Sequence, residues 1–213
     1  LSAAATVKGV AKFEGTAPAP KKLDLTTDAW CKTNHEVFTE NLLVDAQGGL
    51  MNALVYVKEL DMHAKEFPAP AGDAKLTQKG CRYQPHVLAL RTNQPLAIVN
   101  ADQTSHNYHF VGKRNEEINR TQSKPSTDMH TFTRAEINAS FNCDMHAWMS
   151  ARVHVFDHPC FTVSEVTGAF EIKGVPPGTY HLVFQHESAQ AQEIEITVGA
   201  GETKDVGSIT FKK

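Results

Sequence analysis

Short segments of alternating apolar and polar residues recur along most of this chain and restrict it to a fold built from β-strands. Gly, Pro or Asn separates each segment from the next, which is typical of β-sandwiches. The predicted strands are Val7–Phe13, Ala53–Val57, Val87–Leu90, Leu96–Val99, His109–Val111, His130–Phe132, Val153–Phe156, Phe170–Ile172, Tyr180–Phe184, Ile194–Val198 and Val206–Phe211. A short helix is predicted near Asp61–Glu66, and the Pro/Ala/Gly stretch that follows it indicates a linker. The sequence predicts an all-β protein.

One loop between predicted strands carries three side chains that bind soft metals. Cys143, His146 and Met149 follow one another at the spacing Cys-x2-His-x2-Met. A thiolate, an imidazole and a weak thioether, joined by a second imidazole, are the ligands of a blue-copper electron-transfer centre. His106 and His109, just after a predicted strand, offer that second imidazole. These residue types predict a site for one copper ion.

The loop has two other interpretations. Zinc sites also use the spacing Cys-x2-His, and a buried cysteine or methionine is often an ordinary core residue. Zinc is disfavoured because Met is a poor zinc ligand and no second Cys/His pair stands at a zinc-finger interval. The position of the loop between strand-like runs also favours copper.

The copper motif and its surroundings resemble amicyanin-like cupredoxins. The resemblance covers about residues 76–157 and includes the pair His106-Asn107, the short Cys143–Met149 loop and Phe141, an aromatic residue two positions before the cysteine. It implies a Greek-key cupredoxin β-sandwich that holds one type 1 copper, cycling between Cu(I) and Cu(II), and transfers one electron at a time. The whole chain resembles periplasmic cupredoxin-like proteins, some described as methylamine utilisation proteins, that carry an additional β-sandwich.

The resemblance implies a ligand set of His106, Cys143 and His146 in a trigonal plane with Met149 as the axial ligand. Met145 stands beside His146 and is the alternative axial ligand, although the family spacing favours Met149. A closed set of four protein ligands leaves no open position for a substrate.

Residues around the proposed ligands receive expected roles of their own. By resemblance, the backbone N–H of Asn107 reaches the Cys143 sulfur and its side chain ties the two ligand loops together. Trp148 would cover the metal with apolar surface, and His86 is either a structural residue or an accessory ligand. We expect His146 to face outward and to be the port for electrons, because small and apolar residues flank it.

Cysteine arithmetic predicts a single disulfide. Of Cys31, Cys81, Cys143 and Cys160, three remain if Cys143 binds copper, so at most one intramolecular pair forms. Cys31 and Cys81 are the favoured pair because both lie in polar, loop-like segments of a protein expected in an oxidising compartment. Pairings through Cys160 stay open as alternatives.

The bulk properties limit the partners and the compartment. A formal net charge of −3 over 213 residues argues against a nucleic-acid partner, and no apolar run approaches the length of a membrane span. The chain begins at Leu1 without a methionine, which we interpret as the start of a processed, exported chain with its signal peptide removed. We therefore expect a periplasmic or extracellular protein.

The last third of the chain predicts a second domain. Residues 167–180 read as a Gly turn, an alternating strand, a Pro-Pro-Gly turn and another strand, and they resemble the carboxypeptidase regulatory-like (transthyretin-like) domain. The first strands of that family resemble Val7–Phe13 and Ala53–Val57. We predict a discontinuous domain, residues 1–71 and 158–213, with a cupredoxin domain, residues 72–157, inserted in it. The alternative is an N-terminally extended cupredoxin followed by a small C-terminal module.

Electron transfer to a redox partner, such as a cytochrome or a dehydrogenase, is the function that this sequence favours, and we expect no enzymatic activity. A protein for copper storage, delivery or sensing is the alternative, but the chain lacks a Met-rich tract. A copper enzyme would need further histidine clusters, and no His-x-His pair is present.

Overall fold

The computed structural model describes residues 3–60, 67–68 and 70–212. Within these residues there are one α-helix, α1 (Ala29–Asn34), and sixteen strands. The strands are β1 (Ala5–Phe13), β2 (Leu54–Val57), β3 (Ala74–Gln78), β4 (Tyr83–Gln84), β5 (Val87–Arg91), β6 (Pro95–Asn100), β7 (His106–Val111), β8 (Ile118–Gln122), β9 (Ser126–Thr131), β10 (Glu136–Asn142), β11 (Ser150–Phe156), β12 (Phe161–Val163), β13 (Ala169–Val175), β14 (Gly178–His186), β15 (Ala189–Val198) and β16 (Thr203–Phe211). The all-β prediction is confirmed.

The chain folds into two compact units. Unit 1 comprises Leu1–Pro20, Glu40–Phe67 and His158–Lys213, and unit 2 comprises Lys21–Thr39 and Pro68–Asp157. The domain division predicted from the sequence differs from this one at residues 21–39 and 68–71, which the prediction assigned to the discontinuous domain. Residues 21–39 make the larger difference. These residues group with unit 2 because the Cys31–Cys81 disulfide and a small apolar cluster around it hold them there.

Unit 1 consists of two sheets that share one core. Their strand orders are β13-β1-β16 and β12-β2-β14-β15. Inward-facing residues of both sheets, among them Val7, Val55 and Phe184, belong to a single buried cluster. Gly168 makes the turn before β13 at a φ of 77°, and a Cβ there would lie 2.1 Å from the carbonyl oxygen of Ala11, so only glycine fits.

Unit 2 is also built from two sheets around one core. A five-stranded sheet has the order β5-β11-β10-β7-β8, and a four-stranded sheet has the order β4-β3-β6-β9. Leu76 and Ile98 of the smaller sheet pack in the same buried cluster as Phe110, Phe141 and Val153 of the larger one. In the larger sheet β7, β10 and β11 are antiparallel neighbours. The start of β7, the end of β10 and the start of β11 therefore lie at the same end of the sheet.

The predicted helix and the observed helix lie in different parts of the chain. The helix expected near Asp61–Glu66 lies outside the described residues. Helix α1 was not predicted; Asp28 is its N-cap, and its side chain accepts a hydrogen bond from the backbone N–H of Cys31. No helix among the described residues is both long enough and apolar enough to cross a membrane.

Candidate metal centre

The four predicted ligands lie at one end of the five-stranded sheet of unit 2, at or between the ends of neighbouring strands. His106 is the first residue of β7, Cys143 follows β10 directly, and Met149 directly precedes β11. The loop between β10 and β11 is closed by backbone hydrogen bonds from Cys143 N–H to the Met149 carbonyl (3.2 Å) and from Met149 N–H to the His146 carbonyl (2.9 Å). The short ligand spacing is therefore that of a tight connection between paired strands.

Three of the predicted ligands bring their donor atoms together in the interior. The Nδ1 atoms of His106 and His146 are 3.0 Å apart, and the Sγ atom of Cys143 lies 3.8 Å from Nδ1 of His146. One donor atom from each of the three residues falls within 4.8 Å of the others. The three residues are almost fully buried.

The chemistry of this donor set fits a soft cation. Nε2 of His106 lies 2.9 Å from Asp102 Oδ2, and Nε2 of His146 lies 3.1 Å from Asp28 Oδ2. A carboxylate only accepts hydrogen bonds, so in the neutral rings Nε2 carries the proton and Nδ1 presents a lone pair. Two such lone pairs and a thiolate that face one another repel unless a cation lies among them. Nitrogen and sulfur donors of this kind suit copper.

The surroundings of Cys143 favour its thiolate form. Burial by itself would raise the pKa of the Cys143 thiol, but the neighbouring side chains of His106 and His146 and a hydrogen bond from the backbone N–H of Asn107 lower it to about 6. The Asn107 N–H lies 3.4 Å from the sulfur. A cysteine binds a metal as the thiolate, so this environment is suited to a ligand.

The two methionines of the loop have different environments. Met149 is 1% exposed and packs in the same core cluster as Cys143, whereas the side chain of Met145 is 47% exposed. Between these two, the structure therefore brings Met149 into the interior beside the cysteine.

Asn107 and Trp148 both touch the ligand loops. The side-chain oxygen of Asn107 accepts the backbone N–H of Asp144 at 3.1 Å, so Asn107 contacts both the sulfur and the loop that carries it. The indole of Trp148 stacks on the His146 ring, with centroids 4.8 Å apart and planes inclined by 25°, and donates its N–H to the Cys81 carbonyl.

The remaining candidate histidines do not join the cluster. Nδ1 of His86 lies 3.2 Å from the carbonyl oxygen of Ser150. His109 contacts Asp144 through Nδ1 (2.9 Å) and Glu117 through Nε2 (2.8 Å), and those carboxylates raise its pKa. Neither His86 nor His109 belongs to a group of converging metal-binding atoms among the described residues.

The predicted disulfide is present and lies against the site. Cys31 and Cys81 are bonded to each other, and Cys143 and Cys160 are buried cysteines outside this bond. Potential donor atoms of Cys31 lie within 4.8 Å of those of Asp28 and His146, and those of Cys81 within 4.8 Å of those of Asp102 and His106. The disulfide therefore stands beside both histidines.

The expectation that His146 faces outward is wrong. Its side chain is 3% exposed, and Asp28, from the segment before helix α1, accepts a hydrogen bond from Nε2. The sequence motif around residue 146 does not reveal the contact with Asp28, because Asp28 is 118 residues away in the sequence.

Asp28 and Asp102 are the site residues that sequence reasoning missed. Asp102 precedes His106 by four residues, and Asp28 stands three residues before Cys31 at a helix N-cap position. Both spacings are too common to indicate a contact with a histidine ring. Only the folded chain brings these carboxylates to the imidazoles.

Comparison with known proteins finds partial likenesses to solved copper proteins. A Cu-containing nitrite reductase from Thermus scotoductus SA-01 is 17% identical over 44% of this chain, with a TM-score of 0.38, and only 26% of the reductase is covered. A Cu(I) form of an amicyanin variant is 22% identical over 43% of this chain and 88% of its own, with a TM-score of 0.36. A purple cupredoxin from Nitrosopumilus maritimus is 19% identical over 39% of this chain and 99% of its own, with a TM-score of 0.33. No protein-family model and no curated protein matches the sequence.

Proposed function

We propose that unit 2 binds one type 1 copper ion through His106, Cys143, His146 and Met149, and that the protein carries single electrons between redox partners. The observation that supports this most strongly is the convergence of two imidazole Nδ1 atoms and one cysteine sulfur inside the core. Bound copper would supply a one-electron Cu(II)/Cu(I) couple at that position.

The protein's own residues prepare the site before any metal arrives. The paired strands fix the positions of the ligands, the Asn107 N–H holds the cysteine sulfur, and the stacked indole of Trp148 fixes one face of the His146 ring. A site whose ligands are held by packing and hydrogen bonds changes little between oxidation states, which favours rapid electron exchange.

Electron transfer is favoured over copper storage or delivery because the site is closed. The side chains of His106, Cys143 and His146 are at most 3% exposed, and Met149 is 1% exposed. A carrier that passes copper to another protein needs ligands that the acceptor can reach. We propose further that no substrate reacts at the metal, so that nitrite, oxygen and amines are not turned over.

Copper loading tests the proposed ligands. A sample loaded with Cu(II) should bind about one equivalent and show the strong visible absorption and the narrow copper hyperfine splitting of a Cys-ligated type 1 centre. Cys143→Ser should abolish the colour, and His106→Ala should change the spectrum, whereas Met145→Leu should leave it unchanged because Met145 is half exposed. A coloured Cys143→Ser protein would refute the ligand assignment.

Kinetic measurements separate the three classes of function. We expect rapid electron self-exchange by NMR, slow loss of copper to a competing chelator, and no copper-dependent consumption of nitrite, oxygen or amines. Rapid loss of copper to the chelator would favour the carrier, and sustained turnover would favour an enzyme.

The partner is proposed to be another redox protein, such as a cytochrome or a dehydrogenase, in the periplasm or outside the cell. The Cys31–Cys81 disulfide supports an oxidising compartment because such bonds persist there and are rare in the cytosol. We also propose that unit 2 is a cupredoxin domain and unit 1 a carboxypeptidase regulatory-like sandwich, as the sequence resemblances suggest.

A further inference from the structure

Both histidines of the candidate copper site are held from behind by a carboxylate. Asp102 meets Nε2 of His106 at 2.9 Å, and Asp28 meets Nε2 of His146 at 3.1 Å. Asp102 is buried, and the side chain of Asp28 is 16% exposed. A hydrogen bond between a ligand's second nitrogen and a carboxylate fixes the tautomer and the orientation of the ring.

Each carboxylate is itself fixed by several donors. Asp102 accepts the backbone N–H groups of Gly80 and Cys81, both at 2.8 Å. Asp28 accepts the backbone N–H of Cys31 at 2.8 Å and the hydroxyl of Thr104 at 3.0 Å. The two anions are therefore built into the site, and the disulfide links the peptide segments that hold them.

We infer that Asp28 and Asp102 are positioning residues of the copper site, which select Nδ1 as the ligand atom of both histidines and lower the reduction potential of the bound metal. This inference rests on the proposed copper function. A carboxylate that accepts a hydrogen bond from an imidazole makes the ring a stronger electron-pair donor to the metal. The negative charge of the carboxylate also stabilises Cu(II) more than Cu(I). Both effects act in the same direction on the potential.

Substitution of each carboxylate by its amide tests the inference. In copper-loaded protein, Asp28→Asn and Asp102→Asn should each shift the Cu(II)/Cu(I) equilibrium towards Cu(I) by about tenfold, a change similar in size to the smaller losses of metal affinity that follow removal of such partners. For a one-electron couple, tenfold corresponds to a rise of about 59 mV in the potential. Asp28→Glu, which retains the charge, should recover part of the shift.

A spectroscopic measurement identifies which ring has lost its charged partner. Pulsed EPR of the Cu(II) protein detects the second nitrogen of each coordinated imidazole, and its quadrupole coupling depends on the hydrogen bond that this nitrogen makes. Asp28→Asn should alter the signal of one imidazole and Asp102→Asn that of the other. A residue with a merely structural role would not change these signals.

Asp144→Asn is the matched control. Asp144 also lies beside a proposed ligand, Cys143, but its carboxylate contacts His109 and Asn119 and is 49% exposed, so its charge is screened by solvent. Its removal should shift the potential much less than the removal of Asp28 or Asp102. An equal shift would show that total charge, and not the hydrogen bond to the ring, sets the potential, and would overturn the inference.

Nitrogen NMR of the metal-free protein separates this inference from the copper proposal. At a pH where both rings are neutral, His106 and His146 should carry their protons on Nε2, and Asp28→Asn should change only the His146 signals. If these signals behave as expected but wild-type protein shows no type 1 spectrum, the copper proposal fails and the positioning role stands. If Asp28→Asn and Asp102→Asn leave the potential and the ring signals unchanged, the positioning role fails.

Discussion

At the scale of single residues, buried polar side chains in unit 2 hold their positions through partners that are distant in sequence. Glu136, for example, is 6% exposed and accepts backbone N–H groups of Lys113, Arg114 and Asn115. Burial opposes ionisation of Glu136, but these donors lower its pKa overall. Buried polar groups are tolerated where hydrogen bonds of this kind compensate for the lost water.

His154 in β11 is a buried group of a different kind. It is 4% exposed, and its Nδ1 accepts the backbone N–H of Asn138 at 3.2 Å, where a register shift in β10 gives Asn138 a φ of 67°. Burial, assisted by the positive charge of Arg152, lowers the pKa of His154 from 6.5 to about 4. Protonation of Nδ1 would also remove the acceptor of that hydrogen bond.

We predict that unit 2 loses stability as the pH falls through this range because of His154. The unfolded state takes up a proton near pH 6.5 and the folded state only near pH 4, so the contribution of His154 is complete above 6.5 and disappears on the way to about 4. The loss is on the order of 3 kcal/mol. Urea unfolding of the metal-free protein, followed by tryptophan fluorescence, should show a smaller dependence on pH for His154→Asn than for wild type. Equal slopes would contradict the prediction.

At the scale of elements, residues 21–39 are the segment that distinguishes unit 2 from a plain two-sheet structure. Helix α1 has only six residues and is held by its Asp28 cap, the disulfide and the apolar side chains of Leu25 and Val37. The segment places Asp28 over His146. An isolated helix of this length is unstable in water. The position of Asp28 over His146 therefore depends on the disulfide and the apolar contacts that hold this segment.

We predict that the double variant Cys31→Ser/Cys81→Ser lowers the stability of unit 2 and weakens the hydrogen bond between Asp28 and His146. A disulfide that closes a loop with a sequence separation of 50 stabilises by about 4 kcal/mol in the chain-entropy model. Trp30 and Trp148, the two tryptophans of the chain, both lie in unit 2, so their fluorescence reports its unfolding. The reduction potential should also rise, as in Asp28→Asn. Cys160→Ser, which changes a buried cysteine of unit 1, is the control and should change neither measurement.

The sequence predicted most of the strands but not the helix that the structure describes. Every predicted strand overlaps an observed one, but five observed strands were missed: Ala74–Gln78, Tyr83–Gln84, Ile118–Gln122, Glu136–Asn142 and Phe161–Val163. Ile118–Gln122, at a sheet edge, consists mainly of polar and exposed residues, so it lacks an apolar pattern. Helix α1 was missed because its stability comes from tertiary contacts and not from helix propensity.

The proposed ligands could be predicted from the sequence, but their carboxylate partners could not. Cys143, His146 and Met149 fall in one short loop, so their spacing is visible in the sequence. The contact of Asp28 with His146 depends on long-range folding and leaves no local pattern. The wrong expectation about the exposure of His146 has this cause.

At the scale of the whole molecule, each unit has a core of its own. Phe184 in unit 1 is fully buried and packs near Phe170 and Phe211, with ring centroids 5.6 Å and 6.5 Å away. Phe141 in unit 2 is also fully buried, and its neighbours include Phe110 at 5.4 Å. Separate cores allow each unit to unfold with its own free energy, although unit 1 is assembled from three stretches of chain.

We predict that Phe184→Ala destabilises unit 1 without affecting the copper site. Removing a buried phenylalanine side chain costs about 3–5 kcal/mol. The unfolding midpoint of unit 1, seen by circular dichroism, should therefore fall, while the tryptophan fluorescence midpoint and the spectrum of copper-loaded protein stay as in wild type. Phe141→Ala is the matched variant and should lower the fluorescence midpoint instead, because both tryptophans lie in unit 2. If Phe184→Ala lowers both midpoints by the same amount, the two units unfold as one and the separate cores are energetically coupled.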